Sequence, residues 1–405
     1  MNLRTSEGMI DNSEGIAAYR RSMLKKTIFI IAMAAIVILL SGYSCTLSGR
    51  SMTLMEGLDA ILARFTGDIP DIKTPEGRDY YMVWNITMPR VTFAIIGGAG
   101  LAVAGVMMQG VMNNPLADPY TTGVSSGAVF GAVLAIILGI NVIPGVGEMG
   151  LIANAFFFAL VPIGMLMMIS AMSKRVSPVV VILAGMAISY FFSGITTIIK
   201  VSADDDALAD AYRWQIGSLE GISWDQIPLV AIIVLVCTIF VSLTYGKLNS
   251  MSAGDDVARS LGINVNRFRV IVLAVTTLMA ASIIAYAGVI GFVGLVIPHL
   301  LRMIVGGDNK FLIPASMVGG AALLMFADVI SRLTFSIDLP VGAVMSFIGA
   351  PIFLYLVASK RGKGVYRWRT MLNPRSCTTA SSAGRSSLSS LFSRLLCSAA
   401  SSPSV

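Results

Sequence analysis

Apolar runs separated by short polar or glycine-rich breaks recur along most of the chain, at roughly 27–47, 91–112, 121–140, 151–172, 179–199, 227–246, 268–287, 289–305, 312–331 and 341–358. Each approaches the ~20 residues that carry a helix across a bilayer, so the pattern predicts about ten spans. The third and eighth runs are glycine-rich or short, and Gly288, Gly291 and Gly294 punctuate continuous apolar sequence between the seventh and eighth. Two longer stretches, 48–90 and 200–226, interrupt the series, and the amphipathic patch from Leu54 to Phe65 predicts short surface helices there. From about 374 the periodicity stops, and twelve of the last thirty residues are serine. Such a tail buries too little surface to offset its ordering entropy and is expected to be disordered.

Composition agrees with the pattern. The 405 residues are 56% hydrophobic and 13% charged, where a soluble chain carries about 25% charge. A soluble enzyme is excluded, because so little charge cannot cover a water-facing surface. The cysteines at 45, 237, 377 and 397 share no CxxC spacing, and His299 is the single histidine, so neither a disulfide framework nor a metal site is expected. The net charge of +7 matters through its distribution rather than as a sign of nucleic acid, and no nucleic-acid partner is expected.

With the N-terminus inside, the inner segments up to residue 359 carry Arg4, Arg20, Arg21, Lys25, Lys26, Lys174, Arg175, Lys247, Arg259, Arg267, Arg269, Arg302 and Lys310. The outer segments carry Arg50, Arg64, Lys73, Arg78, Arg90, Lys200, Arg213 and Arg332. Thirteen against eight satisfies the positive-inside rule with both termini cytoplasmic. The first apolar run is longer than a secretory h-region and no clear small-residue cleavage site follows it, so it reads as a retained helix. The expected organisation is a cytoplasmic segment 1–26, a transmembrane domain 27–359 and a cytoplasmic tail 360–405, basic and then serine-rich. The chain is thus expected to be an all-α, multi-pass protein of the cell membrane.

Several motifs refine this outline. In GGAGLAVAGVMMQG (97–110) and GVSSGAVFGA (123–132), Gly123, Gly127 and Gly131 recur every four residues, a spacing that lets membrane helices approach closely. Between them, QGVMNNPLADP (109–119) is a polar break whose backbone needs protein or water partners, and it reads equally as structural or functional. In AGDDVARSLGINVNRFR (253–269), Asp255 and Asp256 can cap or favour a helix N-terminus, Arg259 lies four residues beyond Asp255, and Gly262 can end the helix in a left-handed cap. The result is a short, stiff element facing the cytoplasm. Asp328 stands one helical turn before Arg332 near the outer surface, where it can compensate an arginine. No GxxxxGK[ST] occurs, so this chain has no phosphate-cradling loop of its own. GVSSG (123–127) fits a nucleophile-elbow pattern, but it opens a membrane helix rather than following a strand.

Three long blocks are recognisable in order: 88–128 (opening MPRVTFAIIGGAG), 288–332 (containing GLVIPHLLRMIVGGDN) and 338–357 (DLPVGAVMSFIGAPIFLYLV). Together they resemble the FecCD-type permeases, the membrane subunits of importers for ferric siderophores, haem and cobalamin. The likeness extends over about residues 25 to 360, with Gln109, Asn114, Pro115, Leu116, Ala117, Pro298 and His299 as signature positions. It implies a fold like that of the cobalamin-importer permeases: a homodimer with its passage on the two-fold axis. It also implies an extracellular substrate-binding protein and two cytoplasmic ATPase subunits that carry the ATP and magnesium, this chain binding no cofactor. By the same resemblance, Gly254, Asp255, Asp256, Ala258, Arg259, Ser260, Leu261 and Gly262 couple to the ATPase, and Arg90 and Arg332 receive acidic residues of the binding protein. A third docking arginine of cobalamin-type members falls on Thr87 here. The turn SKRVSPVVV (173–181) falls at the inner mouth of the path, making Ser177 and Pro178 gate candidates, although Pro also starts helices well. Pore-lining candidates come from the fifth span, Ser189, Ser193, Thr196 and Thr197, whose hydroxyls can instead bond their own helix carbonyls.

Two other classes compete with an ATP-driven importer permease. An ion-coupled secondary transporter needs an intramembrane carboxylate, for which Asp328 is the candidate. A prenyltransferase-like enzyme needs paired Asp-rich motifs for magnesium; Asp204 to Asp206 with Asp210 supply one, and nothing answers it.

Overall fold

The computed structural model describes residues 12–47, 52–67, 69–144, 147–172, 177–333 and 339–371. In chain order the helices are α1 (Asn12–Thr46), α2 (Leu54–Thr66), α3 (Pro75–Met82), α4 (Met88–Val111), α5 (Val124–Leu138), α6 (Glu148–Met172), α7 (Pro178–Val201) and α8 (Asp205–Ile216). They continue as α9 (Ile227–Leu243), α10 (Tyr245–Ser252), α11 (Asp255–Ser260), α12 (Val265–Ala287), α13 (Val293–Val305), α14 (Asn309–Leu333) and α15 (Val341–Met371). The chain divides into two units, Met1–Gly349 and Ala350–Val405. The serine-rich tail lies outside the described residues.

Among the described residues, six helices are long and apolar enough to cross a membrane, and α9 with α10 forms a seventh, bent by 66°. Three shorter apolar helices, Val124–Leu138, Val293–Val305 and Val341–Leu356, complete a set that coincides run for run with the ten read from the sequence. Two of the spans differ in form from the sequence reading. The second begins well before residue 91, because α3 continues through a π-helical segment, Val83–Thr87, into α4 as one helix, Pro75–Val111. The sixth ends at Leu243, and α10 turns away as a separate helix with Leu248 and Met251 buried beneath it.

The centre of the bundle is α4, which is apolar all round and buried on nearly every face, as such a helix must be. Around it pack α9, α12, α13 and α14. Glycines set the spacing: a Cβ on Gly98 would strike the Gly320 carbonyl of α14, and one on Gly105 the Gly294 carbonyl of α13. The stripe Gly127 and Gly131 does the same for α5 on α6, meeting the carbonyls of Phe158 and Asn154. Gly123 serves differently, turning the chain at φ +92° before α5.

The polar stretches fold as predicted into surface helices. Thr53 and Glu56 close a reciprocal capping box on α2. Asp204 caps α8 through the Ala207 N–H, with Asp205 and Asp206 in its first turn, where the helix dipole favours carboxylates. That explains the Asp run without a metal. Trp84, inside the π segment, donates to Ala60 O at 3.0 Å and accepts from Trp224 Nε1 at 2.6 Å, tying α2 and the loop before α9 to the same end of the bundle.

Candidate functional site: two ends of one central helix

Arg90 and Gln109 are nineteen residues apart on α4, roughly 28 Å at the helical rise. That is close to the ~30 Å thickness of a bilayer's hydrocarbon core, so the two ends of α4 face opposite membrane surfaces.

At the first end, Asp328 of α14 is fully buried between two guanidinium groups. Arg90 Nε donates to its Oδ1 at 2.6 Å, and Arg332 Nη2 donates to its Oδ2 at 2.7 Å. Arg332 also donates to the carbonyl and hydroxyl of Ser44 on α1, and Arg90 Nη2 donates to Ser331 Oγ at 3.3 Å. Three helices, α1, α4 and α14, are thereby pinned by one carboxylate. The i,i+4 pairing of Asp328 with Arg332 is the one the sequence indicated. Arg90 joins it from 238 residues away and is 6% exposed. Both proposed docking arginines are thus paired with Asp328, Arg90 buried and Arg332 half-buried.

At the other end the polar break 112–118 folds into tight turns. Asn113 takes φ +46°, Asn114 Oδ1 accepts from Leu116 N at 3.0 Å, and Ala117 is buried while Leu116 is exposed. Asp118 caps the short helical turn Pro119–Thr122 through Tyr120 N. Burial pushes the Asp118 carboxyl up to about 6, offset in part by that N–H. Tyr120 OH donates to Ile290 O at 2.7 Å, anchoring the extended segment ahead of α13.

Two signature residues explain each other here. Pro298 lies inside α13 and has no N–H for the Gly294 carbonyl one turn earlier. Gln109 Nε2 reaches that carbonyl at 3.4 Å and the neighbouring Leu295 O at 3.1 Å, and its Oε1 accepts from Arg302 Nη1 at 2.8 Å. A side chain of α4 thus replaces the missing backbone donor. His299 is buried beside the proline. Gln109→Leu is expected to cost about 1–3 kcal/mol by stranding these partners. Thermal unfolding in detergent would register it, and Pro298→Ala in the same chain should recover part of the loss by restoring the backbone bond.

Beyond this end stands α11. Gly254 is its N-cap, at φ +120°, so Asp255 and Asp256 occupy its first turn rather than capping it. Arg259 pairs with both, at 3.7 and 2.9 Å. Gly262, at φ +79°, closes the helix, its N–H bonding Arg259 O while Ile263 N bonds Ala258 O. Ala258 is buried beneath, whereas Val257, Ser260 and Leu261 are exposed. The anchor of α11 is Arg269 on α12, fully buried, donating to Asp255 Oδ1 at 2.6 Å and to Val111 O, the last residue of α4, at 3.2 Å. Sequence reading counted Arg269 only as an inner positive charge; the clue it offered was an arginine fourteen residues after an aspartate across a helix break. Alongside, Asn249 of α10 bonds Asp308 and Asn309 at the start of α14, so α10 is tied down as well.

The remaining candidates lie on α7. Ser177 is its N-cap, accepting from Val180 N at 3.3 Å, and Pro178 is its first residue. Residues 173–176 of the same turn lie outside the described residues. Ser189, Thr196 and Thr197 donate to the carbonyls of Gly185, Phe192 and Ser193, the alternative left open for them. Ser193, Thr196 and Thr197 nonetheless line a cavity of about 740 Å³, while Ser189 lies outside it.

The fold is thus a bundle of membrane-length apolar helices with a buried charge cluster at one end of α4 and the exposed helix α11 at the other. The sequence matches the FecCD transport family over residues 35–359. It is 37% identical over 348 residues to an ABC transporter permease of Methanocaldococcus jannaschii, covering 84% of this chain and 96% of that one. It is 33% identical over 329 residues to the iron(3+)-hydroxamate import system permease of Bacillus subtilis, covering 81% and 84% of the two. To the vitamin B12 import system permease of Klebsiella pneumoniae it is 34% identical over 317 residues, covering 77% and 94%. A metal-chelate type ABC transporter solved in an inward-facing conformation superposes with a TM-score of 0.70 at 28% identity, covering 82% of this chain and 98% of that one. The chain belongs to the FecCD transport family. It is a multi-pass permease of the cell membrane and a transport subunit rather than an enzyme.

Proposed function

We propose that this chain is the membrane-spanning half of a homodimeric ATP-binding-cassette importer for a ferric siderophore or a related metal chelate such as haem or cobalamin. An extracellular binding protein delivers the chelate to the Arg90 end, and two cytoplasmic ATPase subunits, holding ATP and magnesium, act on the α11 end. The observation that carries this reading is the rigid path from exposed α11 through buried Arg269 to the terminus of α4. A push on α11 has no slack to absorb it, so it reaches the central helix. ATP binding on a partner can then shift the balance of inward- and outward-open states only by contacting α11 differently in each. The named relatives that import hydroxamate-bound iron and vitamin B12 support the chelate class.

The ion-coupled alternative relies on Asp328, but that carboxylate is occupied on both oxygens by guanidinium groups, which leaves it poorly placed to exchange a proton or a cation. Reconstitution decides between them: uptake into vesicles should require ATP, the ATPase subunits and the binding protein, and uphill uptake by this chain alone would refute the importer reading. Gly262→Pro, which forces φ near −65° on a residue at +79°, should abolish uptake while membrane insertion continues. Unchanged uptake by that variant would remove α11 from the coupling route.

A further inference from the structure

The cavity of about 740 Å³ at the C-terminal end of α7 falls within the size range of small-molecule sites. Its wall is hydroxyl-rich, formed by Ser125, Ser126, Ser193, Thr196 and Thr197, with Lys200 entering from the end of α7. These hydroxyls are not equivalent. Ser126, Thr196 and Thr197 donate to backbone carbonyls of their own helical turns, so only their lone pairs are left for a ligand. Ser125 and Ser193 make no such bond among the described residues and keep their protons to donate.

Lys200 is the cationic side chain of the wall, and it is held in place. Its Nζ donates to Gln215 Oε1 at 2.6 Å and stands 4.1 Å from the centre of the Tyr212 ring. Both partners are neutral, so they orient the ammonium without cancelling its charge. Among the described residues it forms no ion pair. The acidic residue of the wall, Asp205, is exposed in the first turn of α8, where that helix end stabilises it.

Resting on the importer reading above, we propose that this cavity is a way-station for the cargo and that Lys200, with Ser125 and Ser193, selects metal chelates bearing a net negative charge and exposed carboxylate or phenolate oxygens. A neutral chelate gains nothing from the ammonium, and a cationic one is repelled. The arrangement suits a passage: one cation and two hydroxyl donors give a preference without a grip that would stop release.

The test compares ferric citrate, which is anionic, with a neutral ferric trihydroxamate. Equilibrium binding of each is measured on the full-length chain in lipid nanodiscs, and ATP-driven uptake of each in the reconstituted importer. Lys200→Gln should weaken ferric citrate binding about tenfold and leave the trihydroxamate within about twofold, while Lys200→Arg should stay within about threefold for both. Raising ionic strength should narrow the wild-type preference. Equal losses for both chelates, or no loss for either, would overturn the assignment of Lys200. If wild-type protein binds by charge in this way yet the reconstituted importer shows no ATP-dependent uptake of these probes, of haem or of cobalamin, the importer reading falls and the site stands.

Discussion

Asp328→Ala is expected to be the most damaging single change in the membrane core. It strips the shared counter-ion from Arg90 and Arg332, whose side chains are each only 7% exposed. Breaking a buried pair by removing one partner costs about 3–5 kcal/mol, because the remaining charge keeps its desolvation penalty. Here the carboxylate that both guanidinium groups share is gone, so the cost falls on two buried side chains rather than one. The variant should yield little folded protein, and what is recovered should unfold at a markedly lower temperature in detergent. A triple replacement, Arg90→Met with Asp328→Leu and Arg332→Met, removes every stranded charge and should recover much of the stability, since apolar packing replaces buried ion pairs at little cost. Full stability of Asp328→Ala would mean that the cluster is not what pins α1, α4 and α14. A folded Asp328→Asn chain that had lost uptake alone would instead point to a role in transport, which the saturated geometry argues against.

The same cluster marks where sequence reading succeeds and where it stops. Asp328 and Arg332 are four residues apart, and helical periodicity alone places them on one face. Arg90 is separated from Asp328 by 238 positions, and nothing in local periodicity says that α4 and α14 touch. Gln109 and Pro298 present the same contrast: each could be named as a signature residue, but that one supplies the donor the other lacks needed the packing of α4 on α13. The apolar runs were legible because membrane thickness fixes their length, and the Gly127 and Gly131 stripe because its spacing is helical. The bend at Thr244 was not, since apolar sequence runs through it without a proline or glycine before Gly246. Nor was the start of the second span at Pro75, because its first turn carries Glu76, Arg78 and Asp79 and a polar turn has no hydropathic signal. Asn154 was missed for a related reason. It is a lone polar residue in an apolar run, and only the fold shows it bonding Gly131 O, Ile140 O and Val142 N, which secures the unwound end of α5.

Arg269→Met should separate folding from coupling. The methionine keeps most of the buried aliphatic volume, so the bundle should assemble and insert. What disappears is the pair of charge-assisted bonds to Asp255 and to the Val111 carbonyl, each of a kind worth about 1.5–3 kcal/mol. With Asp255 held only by its longer contact to Arg259, α11 gains freedom to move against α4. A coupling element works through the difference it transmits between two states, and about 2–3 kcal/mol of lost differential corresponds to a fall of about 30- to 160-fold in the conformational bias. Uptake should therefore drop by more than tenfold while the partner continues to hydrolyse ATP, now without moving cargo. Asp255→Ala combined with Arg269→Met should be little worse than Arg269→Met alone, as expected of two residues acting through one contact. If Arg269→Met retains uptake within twofold in a properly inserted protein, force reaches the bundle by another route, and α10, tied to α14 through Asn249, Asp308 and Asn309, is the element to examine next.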